Sequence, residues 1–538
     1  MPKLCIRLLQ SEGIPASHFE SSLTILYREE MLPLLYQSAI TLPWTPLGQF
    51  LGLIFAVYLV ITTLRSWVRL SHIPGPFLSS LSYWSMFRIR TRGSRGYLEY
   101  VNLSTKYGEL VRIGPNDLIT SDVQLIRRMS AAKSTYGRSS WYKATRLDPY
   151  HDMMGSVLDK SVHHALRTKL QPGYQGKDIP GLEASIDSGI SDLVSLIRES
   201  YAIKLSPPGA ENTESKGLPE RKPVDFGRLA HYYAMDARSR MSFGQPLGLL
   251  RKNSDVFGLV TMSNLAIDIL QFFTDIPPLQ RIFTSDIALR LLGPKTTDKN
   301  GFGKIMGLAK EHVAARFGPD GEDEPDLLGS FIRRGLDQRS AQSEIMFPMV
   351  AGSDTAAKAI KWTMHYILSD LSVYGSLIKE VEDAASEGRI SDPITFKEAQ
   401  ELPYLQAIIY ESLRVKPPFA GLVMKQVGPD GDIYNGIKLP AGTRIGHDVT
   451  SATHDKRLFG QDAKVFRPER WLEADAETVK SWKKQTELVF GAGRWRCTGK
   501  SVAFLELNKI FVQLIRNFEF QPLDAEMFVK ISDRGKVC

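Results

Sequence analysis

Near its C-terminal end the chain carries a short glycine-punctuated stretch, Phe490-Gly-Ala-Gly-Arg-Trp-Arg-Cys-Thr-Gly499, that runs straight into the apolar-periodic segment SVAFLELNKIFVQLIRNF. Gly491 and Gly493 permit tight backbone turns that other residues resist. Cys497 then stands just ahead of a strong helix, where unpaired N–H groups and the positive end of the dipole favour a thiolate. Gly499 leaves the backbone open to something bulky and flat, and Phe490 is placed to shield the sulfur from water. The chain has only three cysteines, Cys5, Cys497 and Cys538. That count excludes a disulfide scaffold, a cysteine-rich zinc site and an iron–sulfur cluster. Cys497 is therefore either a plain buried thiol or a lone thiolate ligand to a metal whose opposite face stays open.

What surrounds this stretch is helical. Of 538 residues, 43 % are hydrophobic and 23 % charged, ordinary globular values that exclude disorder for most of the chain and allow a core large enough to enclose a cofactor. Residues 184–200 put Ile186, Ile190, Leu193, Leu196 and Ile197 on one face, the 3.6-residue signature. Residues 206–223 and 317–325 are Pro/Gly-rich and aperiodic, the pattern of surface loops. Strand signals are few: LVRIG at 110–114 and the turn-rich stretch 431–446. The expected fold class is mainly α with a small β portion.

One segment stands apart. Leu47–Leu64 carries no charged residue, and its 18 residues reach about 27 Å as a helix, enough for a thin bilayer core. Trp44 and Trp67 flank it. Arg65, Arg69, Arg88, Arg90, Arg92 and Arg95 follow it, against Lys3, Arg7 and Arg28 before it, so the positive-inside rule puts the body on the cytosolic side. The run starts too far from Met1 for a cleaved signal peptide. Ser71-His-Ile-Pro-Gly-Pro76 then breaks the helix. The expected organisation is a lumenal leader at 1–46, a single transmembrane helix at 47–64, a basic, Pro-rich linker at 65–97 and a catalytic domain at 98–538. The net charge of +8 suits acidic partners or anionic lipid. No nucleic-acid-binding motif accompanies it.

Four motifs, in this order, carry a resemblance. They are Ala351-Gly-Ser-Asp-Thr355, Glu411-Ser-Leu-Arg414, Phe466-Arg-Pro-Glu-Arg470-Trp471, and the Cys497 stretch. Together they resemble the cytochrome P-450 superfamily, whose haem loop reads F-x-x-G-x-R-x-C-x-G. Phe490, Gly493, Cys497 and Gly499 fit that pattern. Trp495 does not: it stands where the family has an arginine that pairs with a haem propionate, leaving Arg494, Arg496 or another cation to substitute. The resemblance runs from about residue 74 to the end and implies the cytochrome P-450 fold.

It also implies a set of roles. Cys497 is the axial ligand of haem b, with Phe490, Gly493 and Gly499 around it. Asp354 and Thr355 deliver protons, Gly352 opens a gap for O2, and Pro348 predicts a kink in the 345–369 helix. His163 and Arg167, four apart on one helix, resemble the paired propionate ligands, with His164 as the neighbouring alternative; Lys425 is a further propionate contact. Glu411 and Arg414 lie on one helical face, and Arg470 is expected to bridge them to the loop before Cys497.

The activity implied is a haem-thiolate monooxygenase acting with O2 on an apolar small molecule, its pocket formed by residues 136–150, the 270s and 416–423. Electrons come from NADPH through a membrane-bound cytochrome P-450 reductase at the endoplasmic reticulum. Residues 136–149 and 171–187 are similar to fungal secondary-metabolism members related to pisatin demethylase, which points to a terpenoid or polyketide substrate. Two rivals are a peroxide-rearranging isomerase or dehydratase on the same fold, and a membrane-anchored haem sensor. The first tends to lack the distal threonine, and no signalling segment is attached for the second.

Overall fold

The computed structural model describes residues 46–91, 96–204, 223–263, 273–523 and 527–534. The expected leader at 1–46 and loop at 206–223 fall almost wholly outside them.

The described residues divide after Arg65 into two units. Helix α1 (Pro46–Arg69) begins in the first. Its stretch Gln49–Arg69 is long and apolar enough to cross a membrane and has none of its residues buried against protein. Phe50, Leu53, Phe55, Tyr58 and Val60 all stand open, a surface that water does not tolerate and lipid does.

Within residues 66–538 the core is a group of helices. Helix α2 (Lys160–Tyr174) starts at Asp159, whose carboxylate accepts from the N–H groups of Ser161 and Val162, satisfying donors the helix cannot. Helix α3 (Leu182–Ser200) buries Ile186, Ile190, Leu193, Leu196 and Ile197 as its periodicity predicts. Helix α4 (Phe226–Phe243) is capped by Asp225 and closed by Gly244 in the left-handed conformation. It is buried along most of its length because it packs between α3 and helix α5 (Ser353–Ser369). Helix α6 (Pro403–Val415) lies against α5, and helix α7 (Lys500–Asn517) closes the group against α3 and α5.

The kink expected at Pro348 takes the form of a π-turn, Pro348–Gly352, that runs into α5. Proline's missing donor is absorbed by the wider turn.

The β portion is small, as expected, and includes strands at 110–114 and within 431–446, but most of its strands lie outside those two stretches. Strands β1 (Leu110–Gly114), β2 (Asp117–Thr120), β3 (Gly137–Arg138), β4 (Lys425–Gln426) and β5 (Arg444–His447) make one sheet in the order β1-β2-β5-β4-β3. The pairing of β3 with β4 sets Arg138 directly opposite Lys425. A second sheet joins Phe518–Pro522, Phe528–Asp533 and Ala202–Lys204.

Candidate functional site

The Cys497 loop is built by its glycines. Gly491 and Gly493 both take positive φ, 75° and 51°. At Gly493 a Cβ would run into the carbonyl oxygen of Ser130, so this position tolerates no side chain. The turn lets Cys497 N donate to Phe490 O at 2.7 Å. The Phe490 ring leans on Phe504 of α7, with centroids 5.5 Å apart. Gly499 is the N-cap of α7, and a Cβ there would stand 3.9 Å from the sulfur.

Cys497 lies deep in the protein yet is accessible. The two facts agree because it fronts a hollow of about 880 Å³ lined in part by Arg167, Glu487, Gly493, Arg496 and Lys500. Burial pushes the Cys497 thiol up. The backbone N–H groups of Gly499 and Lys500, with Arg167 and Arg238, pull it back only in part. A bound metal would complete the deprotonation that the helix end begins.

A cluster of cations gathers at this loop. His163 is buried and His164 exposed; the His163 ring lies 4.7 Å from that of Trp495. Arg167 donates to the carbonyl of Arg496 at 2.6 Å. Lys425, far from being a surface lysine, is fully buried; its ammonium donates to Tyr142 Oη and sits 5.0 Å from the Trp495 ring. Arg138, which the sequence did not single out, joins them, 4.4 Å from the Tyr142 ring and 4.8 Å from that of Trp495.

Carboxylates are sparse here: the buried Glu344 carboxyl acts on Arg138 electrostatically without a hydrogen bond to it. Among the described residues no carboxylate is hydrogen-bonded to Arg138, His163 or Lys425; the Arg138 guanidinium donates to the carbonyls of Met154, Gly155 and Val157. Its Nε has no partner, and neither does the buried Nε1 of Trp495. Like charges directly opposite across a sheet repel, and that is how Arg138 meets Lys425.

The protonation equilibria record the same excess of positive charge. Burial, with nearby Arg138, holds Lys425 well below its usual range. Burial lowers Arg138 to about 10, and burial together with Arg138, Arg167 and Lys425 lowers His163 to about 3. A buried cluster of this kind is completed by a ligand that carries acid groups. Haem fits on both counts: a metal for Cys497 and two propionates for the cations.

Asp354 and Thr355 do not meet. Thr355 Oγ1 donates to Ala351 O at 2.9 Å, while buried Asp354 takes Lys358 Nζ at 2.7 Å on Oδ2. Its Oδ1 faces His231 Nε2 of α4 at 3.7 Å, too long for a hydrogen bond, and both atoms are buried without a partner. The other ring nitrogen of His231 is held by Gly227 O at 2.9 Å. Burial raises the Asp354 carboxyl, but His231 and Lys358 outweigh it and bring it below the usual carboxylate range.

A Cβ on Gly352 would come within 2.8 Å of Arg238 Nε, so this glycine makes room for a side chain of α4. One expectation needs correction. Arg470 does not bridge to the loop before Cys497. Its guanidinium joins Glu411 to the carbonyls of Phe459 and Asp462.

The three expected pocket segments converge on Trp141. Its ring is 6.4 Å from that of Phe419, and its Nε1 donates to Asp275 Oδ1 at 2.8 Å. Tyr142, Leu422 and Met424 pack in the same apolar cluster.

Comparison with known proteins bears on most of the chain. The family model for cytochrome P-450 matches residues 74–537. The chain is 40 % identical over 482 residues to the cytochrome P-450 monooxygenase ABA1 of Pyricularia oryzae, covering 89 % of this chain and 92 % of that protein. It is 37 % identical to the cytochrome P-450 monooxygenase aba1 of Botryotinia fuckeliana, over 84 % of this chain and 87 % of the other. The cytochrome P-450 monooxygenase abl1 of Leptosphaeria maculans is 35 % identical, with 85 % and 79 % covered.

Proposed function

The chain belongs to the cytochrome P-450 monooxygenase family, and from that premise we propose that it binds haem b through Cys497 and inserts one oxygen atom from O2 into an apolar small molecule. The observation that carries the reading is the set of basic side chains, the buried His163 and Lys425 and the half-buried Arg138 and Arg167, none hydrogen-bonded to a carboxylate among the described residues, gathered beside the loop of a lone cysteine. When bound, the haem supplies the oxygen chemistry.

The residues of the chain hold, orient and protonate. Cys497, in the turn just ahead of α7, would hold the iron, and Arg138, His163, Arg167 and Lys425 would hold the propionates, while Phe490, Gly493 and Gly499 shape the loop. Asp354 stays ionised and receives protons through Lys358, whose side chain is 35 % exposed, and from His231. Thr355, next in the chain, holds its hydroxyl on Ala351 O and would pass a proton on from that atom. Trp141, Tyr142, Phe419, Leu422 and Met424 exclude water and receive an apolar substrate.

Electrons come from NADPH through an acidic-faced cytochrome P-450 reductase, which the net charge of +8 favours. Helix α1 anchors the protein in the endoplasmic reticulum membrane with the body in the cytosol, as the arginines after the span favour. The similarity to fungal monooxygenases supports an oxidation step in secondary metabolism on a terpenoid or polyketide skeleton. The kinship to pisatin demethylase rests on residues 136–149 and 171–187.

The test is turnover in membranes that also contain the reductase. Consumption of NADPH and O2 with product carrying ¹⁸O from ¹⁸O2 is expected. Anaerobic turnover of a peroxide substrate without NADPH would overturn the reading.

A further inference from the structure

Trp495 Nε1 is a buried donor with no acceptor among the described residues. An N–H in that state costs free energy unless a ligand completes it, and indole is a donor only. The ring around it is not idle. Arg138 lies 4.8 Å from its centroid, Lys425 5.0 Å and the His163 ring 4.7 Å. Among the described residues none of these neighbours is hydrogen-bonded to a carboxylate, and basic company of this kind favours an anionic acceptor for the indole N–H.

We infer that the Trp495 indole N–H donates a hydrogen bond to a haem propionate, so that no arginine is needed at this place in the loop. The inference rests on haem binding as proposed above and adds a division of labour to it. Arg138 and Lys425 supply the positive charge, held against the indole by attraction to its π face. Trp495 supplies a neutral, directional donor on the cysteine loop itself, two residues before the ligand. Arg494 and Arg496 are not required: Arg494 is 5.9 Å from the Trp495 ring centroid, and the Arg496 carbonyl is engaged by Arg167.

The test compares Trp495→Phe, which keeps an aromatic ring and removes the donor, with wild type. Both are purified as haem proteins, and their ferrous–carbon monoxide spectra are recorded first. A wild type without thiolate-ligated haem would sink the underlying reading. With that spectrum in hand, two readouts address Trp495. Transfer of haem to excess apomyoglobin is expected to run about tenfold faster in Trp495→Phe, the size of one hydrogen bond to a charged group. The propionate bending band in the resonance Raman spectrum is expected to shift, and Trp495→His, which restores a ring N–H, to move both readouts back. Wild-type release together with an unmoved band in Trp495→Phe would overturn the inference.

Should Trp495→Phe not accumulate as folded protein, the wild type alone decides. It is reconstituted with iron protoporphyrin and with its dimethyl ester. The indole N–H band in ultraviolet resonance Raman is expected to differ between the two, and identical bands would overturn the inference.

Discussion

Arg470 donates from Nε to Glu411 Oε1 at 2.9 Å, across 59 residues of chain and with both side chains shut away from water. Glu411 also takes two bonds from Arg414, at 2.7 and 2.8 Å, one from Trp471 Nε1 at 2.8 Å and one from Arg467 N at 3.0 Å. Removing one member of a buried charge network leaves its partners unpaired, at about 3–5 kcal/mol. Glu411→Gln is therefore expected to lower the chemical-denaturation midpoint sharply and to reduce haem loading. A midpoint equal to wild type would show that the network is dispensable.

Gly493→Ala tests the loop by steric means alone. The backbone there has φ of 51°, and the new methyl would collide with Ser130 O. Conformational strain of this kind costs roughly 1–3 kcal/mol before the collision is counted. Expression is expected to fall and the haem-to-protein ratio with it. Gly499→Ala meets nothing nearer than 3.9 Å within the protein, so it should fold and lose haem without losing stability.

Stability depends on pH through buried histidines. His454 bonds Val415 O through Nε2 at 3.0 Å, and burial followed by Arg414 lowers it from 6.5 to about 4. The folded state thus binds fewer protons than the unfolded state between those values. Stability is complete above pH 6.5 and falls as pH drops towards 4, by on the order of 3 kcal/mol from this residue. His447, lowered to about 3 by burial and then by Lys425, adds a slope of the same sign. His454→Gln is expected to flatten the urea-midpoint profile over pH 4–6.5 in part; an unchanged slope contradicts the assignment.

Proton delivery has its own variants. Asp354→Asn removes the carboxylate between Lys358 and His231, and the rate of product formation should fall roughly 10- to 100-fold, the lower part of the range for a positioned proton donor. The solvent deuterium isotope effect should rise with it, and oxygen should be diverted to hydrogen peroxide. His231→Phe should lower turnover less and leave haem binding unchanged. Equal coupling of NADPH to product in Asp354→Asn and wild type would remove Asp354 from the path.

Much of this was legible before the structure. The Ile186–Ile197 face, the LVRIG strand and the order of the four motifs are local patterns, and local patterns survive folding. Lys425, His163 and Arg167 were reached through the family resemblance, since spacing alone reads as a solvated basic face. Arg138 was not. It stands in a two-residue strand and gains its meaning from the register that sets it opposite Lys425, 287 positions on, which no window of sequence contains. His231 escaped likewise, because it reaches Asp354 only through the packing of α4 on α5. The approach of Arg238 to Gly352 was out of reach too, because a missing side chain says that something comes close, not what.

The most direct measurement is the reduced, carbon monoxide-bound absorption spectrum of the purified protein beside Cys497→Ala. The wild type should show the long-wavelength Soret band of thiolate-ligated haem, and Cys497→Ala should retain no haem or show only the shorter-wavelength band of other ligands. The same long-wavelength band in both proteins would contradict the assignment of Cys497.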